Sequence, residues 1–325
     1  MAASYAFAVG SVRAREGSLL TRQDMEGLML AGSDRELASL LRDKGYGDPA
    51  GRGGTEELLR EETVRLWDYI WSVAPDKSLF DAFLLRNDIH NAKVALKSTL
   101  SGRDAQHLLL APCTLPPKAL YTAAEERRFA ALPAWLAGAM ERAYDVLAHA
   151  SDAQLADAVL DRAALSAMLD AAGRTGDPLV EDIVVLQVFY ADVKIALRAA
   201  RTDRRSLFLE EALCPCGGMK PEEWIRALRG GEEEFLALLE RQNAHGSRGA
   251  AEAYRQSPAA FEKWVDDRLM ETARRAKSVT LGAAPLVGYL LAKETEIRAV
   301  HMLASGIRTG QSADTMRERG RLLYA

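Results

Sequence analysis

DIHNAKVALK, residues 88–97, decides how the chain is read, because its pattern returns twice. An acid, a β-branched residue, a base and a small residue stand at Asp88, Ile89, His90 and Ala92. The same order recurs as Asp192, Val193, Lys194 and Ala196 in DVKIALRAAR, and as Glu296, Ile297, Arg298 and Val300 in EIRAVHMLAS. Both intervals between the leading acids are 104 residues. Equal long intervals with side-chain chemistry in register identify an internal repeat. A period of 104 is too long for a typical solenoid unit and matches a small domain instead. Each copy also runs into a polar or glycine-containing turn, KSTLSGRD, RAARTDRR or LASGIRTGQ. The expected organisation is three helical repeat domains, 1–113, 114–217 and 218–325.

Around these copies the pattern is helical throughout. Apolar residues recur at three and four spacings, and alternating strand patterns are missing. Helices are expected at 4–14, 22–31, 34–43, 78–100, 121–148, 152–171, 178–201, 221–229, 232–243, 258–276, 286–305 and 311–322. A further helix begins at TEELLREETVRLWDYIWSV, where Thr55 reads as the cap of a capping-box start. Glycine and proline clusters at 45–54, 111–117, 173–178, 214–218 and 245–249 mark the breaks. The fold class is all-α.

Composition narrows function. A chain of 325 residues with 48% hydrophobic content can bury large cores. A net charge of -4 leaves no bulk excess to draw it onto nucleic acid or an anionic membrane. The basic stretch RAARTDRR at 198–205 lacks interleaved aromatics and contains Asp203, so it reads as a helix end and not as an RNA site. Three cysteines, Cys113, Cys214 and Cys216, are too few for a disulfide framework and fit a reducing cytosol. No signal-peptide pattern opens the chain, and no window approaches the ~20 apolar residues that span a bilayer.

The repeated acid and base have two readings. On a 3.6-residue period Asp88, Ala92 and Leu96 share one ridge, with Ile89 and Lys93 on the next. Small alanines allow close helix approach, and charges on such a face must pair or reach water. The charged groups are therefore either structural pairs or polar positions around a common axis that a partner could use. The candidates for domain packing or partner binding are Asp88, His90, Lys93, Asp192, Lys194, Arg198, Glu296, Arg298 and His301.

Three stretches resemble the C subunit of the V-type (A/V-type) ATPases, the homologue of the eukaryotic V-ATPase d subunit. They are YAFAVGSVRAREGSLLTRQDMEGLM at 5–29, FDAFLLRNDIHNAKVALK at 80–97 and KETEIRAVHMLASGIRTGQSADTMRERGRLLYA at 293–325. The first is similar to the family's tyrosine-led helix, with Arg13 before Leu19 and Leu20. The last is similar to its C-terminal signature, a charged helix start leading through a glycine turn into a basic helix. The resemblance implies a funnel of three similar domains with pseudo-threefold symmetry and no catalysis. It implies that the chain couples the central shaft subunits to the membrane proteolipid ring, with no nucleic acid partner and no transmembrane insertion of its own. The implied location is cytoplasmic, peripheral on the inner membrane through the ATPase complex.

Enzyme readings are weaker. The sequence lacks a phosphate-loop motif and HExxH, and its five histidines are dispersed. CPC at Cys214 and Cys216 offers half a zinc site without a second close pair. No cofactor or metal is expected. The alternative functions are an all-α isoprenoid-synthase-like enzyme and a generic helical scaffold. The enzyme reading would use Asp266, Asp267 and Glu271 as carboxylates for Mg²⁺, whereas on the bland reading these are helix charges paired with Arg274 and Arg275.

Overall fold

A computed structural model describes residues 4–48, 51–201 and 207–325. Parts of the expected break at 45–54 and of the basic stretch at 198–205 lie outside the described residues. Among the described residues the regular structure is helical, with no β-strand, as an all-α chain requires. The helices in the first half are α1 (Tyr5–Glu16), α2 (Arg22–Met29), α3 (Asp34–Asp43), α4 (Thr55–Val73), α5 (Asp81–Ser101), α6 (Pro117–Glu126), α7 (Ala134–Asp145) and α8 (Ala153–Thr175). Those in the second half are α9 (Pro178–Ala200), α10 (Leu207–Ala212), α11 (Pro221–Gly230), α12 (Glu232–Gln242), α13 (Ser247–Gln256), α14 (Pro258–Arg274), α15 (Ala284–Arg308) and α16 (Ala313–Arg319).

Local chemistry explains most boundaries. Thr21 and Asp24 form a reciprocal capping box at α2, and Ser33, Asp152, Ser257 and Ser312 cap α3, α8, α14 and α16 through their side chains. Gly102 and Gly176 end α5 and α8 in the left-handed region that glycine adopts without strain. Thr55 corrects the expectation made for it. Gly54 occupies the cap, and the position three residues beyond Thr55 is Leu58, so no capping box exists. Thr55 instead is buried inside α4 and bonds Asp34 through both its amide and its hydroxyl.

The helix expected over 121–148 is also corrected. Arg127 has φ 52°, a short 3₁₀ turn follows at Phe129–Ala131, and Pro133 precedes α7. A proline there can open a helix but cannot continue one. Helices α10 and α13 fall outside the expected set, and after Arg319 the last six residues leave the helix.

The chain divides into two compact units. The first comprises Met1–Lys77, Asp177–Ile183 and Glu252–Ala325. Helix α15 is its axis and packs on α1, α2, α3, α4 and α14. Every residue from Ala284 to Glu296 is buried, so this helix is enclosed on all sides over that span. Its later turns contribute Val300, Leu303 and Ala304 to a core with Leu28, Leu37 and Leu41.

The second unit comprises Ser78–Gly176 and Val184–Ala251. In it α5 packs on α6 and α8, and α7 also packs on α8. Leu96, Leu120, Leu136, Met140 and Leu160 fill that core, and the small Ala92, Ala95, Ala143 and Ala156 let the helices approach closely. An aromatic group completes the unit, with Trp224 meeting Phe189 and Phe235 edge-on at ring separations of 5.5 and 5.1 Å.

Candidate functional site

The three repeated acids lie on three long helices, Asp88 on α5, Asp192 on α9 and Glu296 on α15. Their exposures are 0%, 0% and 2%. A buried carboxylate is costly unless donors surround it, and each of these accepts a backbone amide from a distant segment. Asp88 Oδ1 accepts the Thr114 and Leu115 amides, both at 2.9 Å, while Oδ2 accepts the Thr114 hydroxyl at 2.6 Å. Asp192 accepts the Cys214 amide on both oxygens, at 3.2 and 3.0 Å. Glu296 Oε2 accepts the Leu20 amide at 2.5 Å.

The surroundings differ. On α5 the acid sits within a clamp on the loop ahead of α6. Asn91 exchanges two hydrogen bonds with Leu110, Asn87 donates to the Pro112 carbonyl, and a ring nitrogen of His90 lies 2.8 Å from the Leu108 carbonyl. Burial raises the Asp88 carboxyl, and its three donors oppose that rise. Asp192 has the thinnest support. Burial pushes its carboxyl up to about 8, with the Cys214 amide pulling in the other direction.

Glu296 has the densest support. Its Oε1 accepts from the Tyr46 hydroxyl and from Lys293 Nζ, the latter at 2.5 Å. Lys293 also meets Glu62 at 2.9 Å and lies 4.2 Å from the centre of the Tyr46 ring. Burial and the Glu296 charge push the Tyr46 hydroxyl far up, so it remains a donor. Two carboxylates, one ammonium and one phenol thus form a closed network inside the first unit.

The bases do not pair with the acids two residues before them. His90 faces the Leu108 carbonyl, and Lys93 reaches Asp161 at 2.5 Å. Lys194 is half-buried, and Arg198 is exposed near the end of α9. Arg298 is exposed and donates to the Thr295 hydroxyl, while His301 lies 3.2 Å from Glu56, which Arg308 also binds. Sequence reasoning singled out the three acids but missed their partners. Asn87 and Asn91 flank Asp88, and Lys293 precedes Glu296 by three residues. These were the available signals, whereas Tyr46 and Glu62 carried none.

The α14 carboxylates are engaged by protein groups, which corrects the enzyme reading. Asp266 pairs with Arg321 at 2.8 Å, and Asp267 accepts the Leu322 amide at 2.6 Å and faces Lys263 at 3.3 Å. Glu271 pairs with Arg268. The pairing expected with Arg274 and Arg275 is corrected too: Arg274 binds the Ala325 carbonyl and Arg275 binds Asp182. At the CPC turn, burial beside Asp192 pushes the Cys214 and Cys216 thiols up to about 12, the opposite of what a metal ligand needs. Among the described residues no group of three or more His, Cys, Asp or Glu side chains converges as a metal site. Among them, too, no helix is long and apolar enough to cross a membrane.

The family model described as ATP synthase (C/AC39) subunit matches residues 8–319. The chain is 21% identical over 317 residues to the C subunit of the V-type sodium ATPase of Enterococcus hirae, covering 96% of this chain and 97% of that protein. It is 24% identical over 337 residues to the C subunit of the A-type ATP synthase of Methanocaldococcus jannaschii, covering 94% and 83%. With the C subunit of the V-type ATP synthase of Thermus thermophilus the identity is 25% over 316 residues, covering 94% of each. The chain belongs to the family of ATP synthase (C/AC39) subunits, whose members are non-catalytic structural subunits of the V-type ATPase.

Proposed function

We propose that this protein couples the central rotor shaft to the membrane proteolipid ring, during ATP-driven or ion-driven rotation, as a funnel of three related helical modules with pseudo-threefold symmetry. The observation that carries the reading is the set of buried acids at equal intervals. In a three-module chain, Thr114 and Leu115 open the second module and Cys214 lies just ahead of the third. Asp88 then holds the start of the second module, and Asp192 holds the segment that leads into the third. Glu296 holds Leu20, near the start of the first. Three equivalent fasteners would therefore close the modules into a cycle, which suits a part that must transmit torque without deforming. Long helices packed through alanines add stiffness.

The partners on this reading are the shaft subunits above and the ring below, and the chain sits peripherally on the cytoplasmic face through them. Partner-facing groups are drawn from the exposed members of the repeat, Arg198, Arg298 and His301. The test is a pull-down of purified chain against separately purified shaft and ring subunits, with an assay for Mg²⁺-dependent consumption of an allylic diphosphate in parallel. Binding to both partners without turnover supports the reading. Turnover, or failure to bind either partner, contradicts it.

A further inference from the structure

The connection between α5 and α6, in the second unit, carries apolar side chains into solvent. Leu108 is 50% exposed and Leu110 43%, and Ala111 between the latter and Pro112 is exposed too. From Leu108 to Pro112 the connection has no polar side chain at all. Exposed loop tips are ordinarily small and polar, so this composition is the reverse of what a plain connection needs.

The loop is nonetheless held in one shape. A His90 ring nitrogen lies 2.8 Å from the Leu108 carbonyl, and Asn91 accepts the Leu110 amide at 2.8 Å while donating to its carbonyl at 2.9 Å. Asn87 donates to the Pro112 carbonyl at 2.7 Å, and Asp88 takes the amides of Thr114 and Leu115. Polar side chains from little more than one turn of α5 therefore fasten the loop backbone and leave its leucines facing water. A partner that covers them has little loop entropy to remove, and apolar surface displayed in this way marks an interaction site.

The feature recurs along the chain. Leu108 precedes Thr114, whose amide Asp88 holds, by six positions. Leu207 precedes Cys214, whose amide Asp192 holds, by seven, and it is 80% exposed at the start of α10.

We infer that Leu108, Leu110 and Leu207 are apolar contacts by which this chain seats on the proteolipid ring, an inference that rests on the coupling role proposed above. A ring repeats one surface around its axis, so like contacts on successive modules can meet like partners. A shaft of coiled helices offers no such repetition around its axis, and it turns its apolar seam inward and its charged positions outward.

Binding of the full chain to purified ring in nanodiscs, and separately to purified shaft subunits, tests the assignment. The double variant Leu108→Asp/Leu110→Asp should lose ring affinity by about tenfold or more, because apolar area that the ring would cover then carries charge. It should bind the shaft like the parent chain, with thermal unfolding unchanged. Leu207→Asp should weaken ring binding in the same sense. Val64→Asp, at an apolar position 57% exposed in the first unit, should leave ring binding unaltered. Nanodiscs of the same lipids without the ring should capture none of the chain. Ring affinity that survives both leucine changes, while the parent chain binds the ring, would overturn the assignment and leave the coupling role standing. Failure of the parent chain to bind the ring would overturn both. An equal loss of shaft binding, an equal loss in Val64→Asp, or equal capture by empty nanodiscs would each overturn the assignment as well.

Discussion

Leu20 and Glu296 are separated by 276 positions in the chain, yet the Leu20 amide donates to the Glu296 carboxylate at 2.5 Å inside one compact unit. The same carboxylate accepts from Tyr46 and from Lys293, whose second partner is Glu62. A single side chain on α15 therefore ties the segment before α2, the end of the turn after α3 and, through Lys293, helix α4.

Removing that tie should be expensive. Glu296→Ala leaves a buried ammonium with one carboxylate in place of two and orphans the Leu20 amide, so a loss of about 3–5 kcal/mol is expected by urea denaturation. Pairing it with Lys293→Met should cost less than the two single changes added together, because each alone strands the other's charge. A double change that is strictly additive would show that the two residues act separately.

Asp192 should make stability depend on pH in a defined window. Its carboxyl titrates at about 8 when folded, against about 3.9 in an unfolded chain. Between those values the folded state holds a proton that the unfolded state has released. This contribution is therefore fully present below about pH 4 and is lost as pH rises through about 8. Asp192→Asn keeps an acceptor for the Cys214 amide and carries no charge. Its stability relative to the parent chain should rise by up to about 1.4 kcal/mol per pH unit across the window. Parallel stability-versus-pH curves for the two proteins would contradict this.

Two glycines give opposite expectations. A Cβ at Gly288 on α15 would stand 2.7 Å from the Ala276 Cβ and 3.1 Å from the Tyr324 hydroxyl. Gly288→Ala should lose about 1–3 kcal/mol through overpacking. Gly138 on α7 is exposed and has no heavy atom within 4 Å of its added Cβ. Gly138→Ala should gain about 0.5–1 kcal/mol from helix propensity alone. Thermal or urea unfolding of the two variants measures both signs.

The last six residues form a strap with one deep anchor. Tyr324 is 2% exposed and its hydroxyl meets Glu16 at 3.1 Å, while Asp266 and Asp267 hold Arg321 and the Leu322 amide. Tyr324→Ala should cost about 3–5 kcal/mol and speed tryptic cleavage after Arg319 and Arg321. Tyr324→Phe should cost only about 0.5–1.5 kcal/mol and leave the cleavage rate close to that of the parent chain.

Much of the fold was legible because helix periodicity is a local signal. Helices α3 and α9 fall within a residue of their expected limits, and the interval of 104 residues brought out three acids that all prove to be buried. What was lost depended on geometry that spacing does not encode. Arg127 in a left-handed conformation divides a run that looks continuous, and the turn at Asn243 and His245 hides the helix that starts at Ser247. The charged groups were expected either to pair structurally or to serve a partner on a common axis, and Glu296 does pair with Lys293 on its own helix. Each of the three acids also accepts a backbone amide, a donor that every residue except proline carries and no sequence pattern marks. On α14, Asp266 and Asp267 take partners from the strap some 55 positions away, which spacing along the helix does not reveal.

The most direct measurement of the central claim is ATP-driven ion uptake by vesicles carrying the cognate ATPase, assembled with and without this protein. The coupling role predicts that omission leaves ATP hydrolysis by the other subunits running while uptake collapses, and that adding the purified chain restores uptake. Uptake that proceeds equally well without the chain would contradict it.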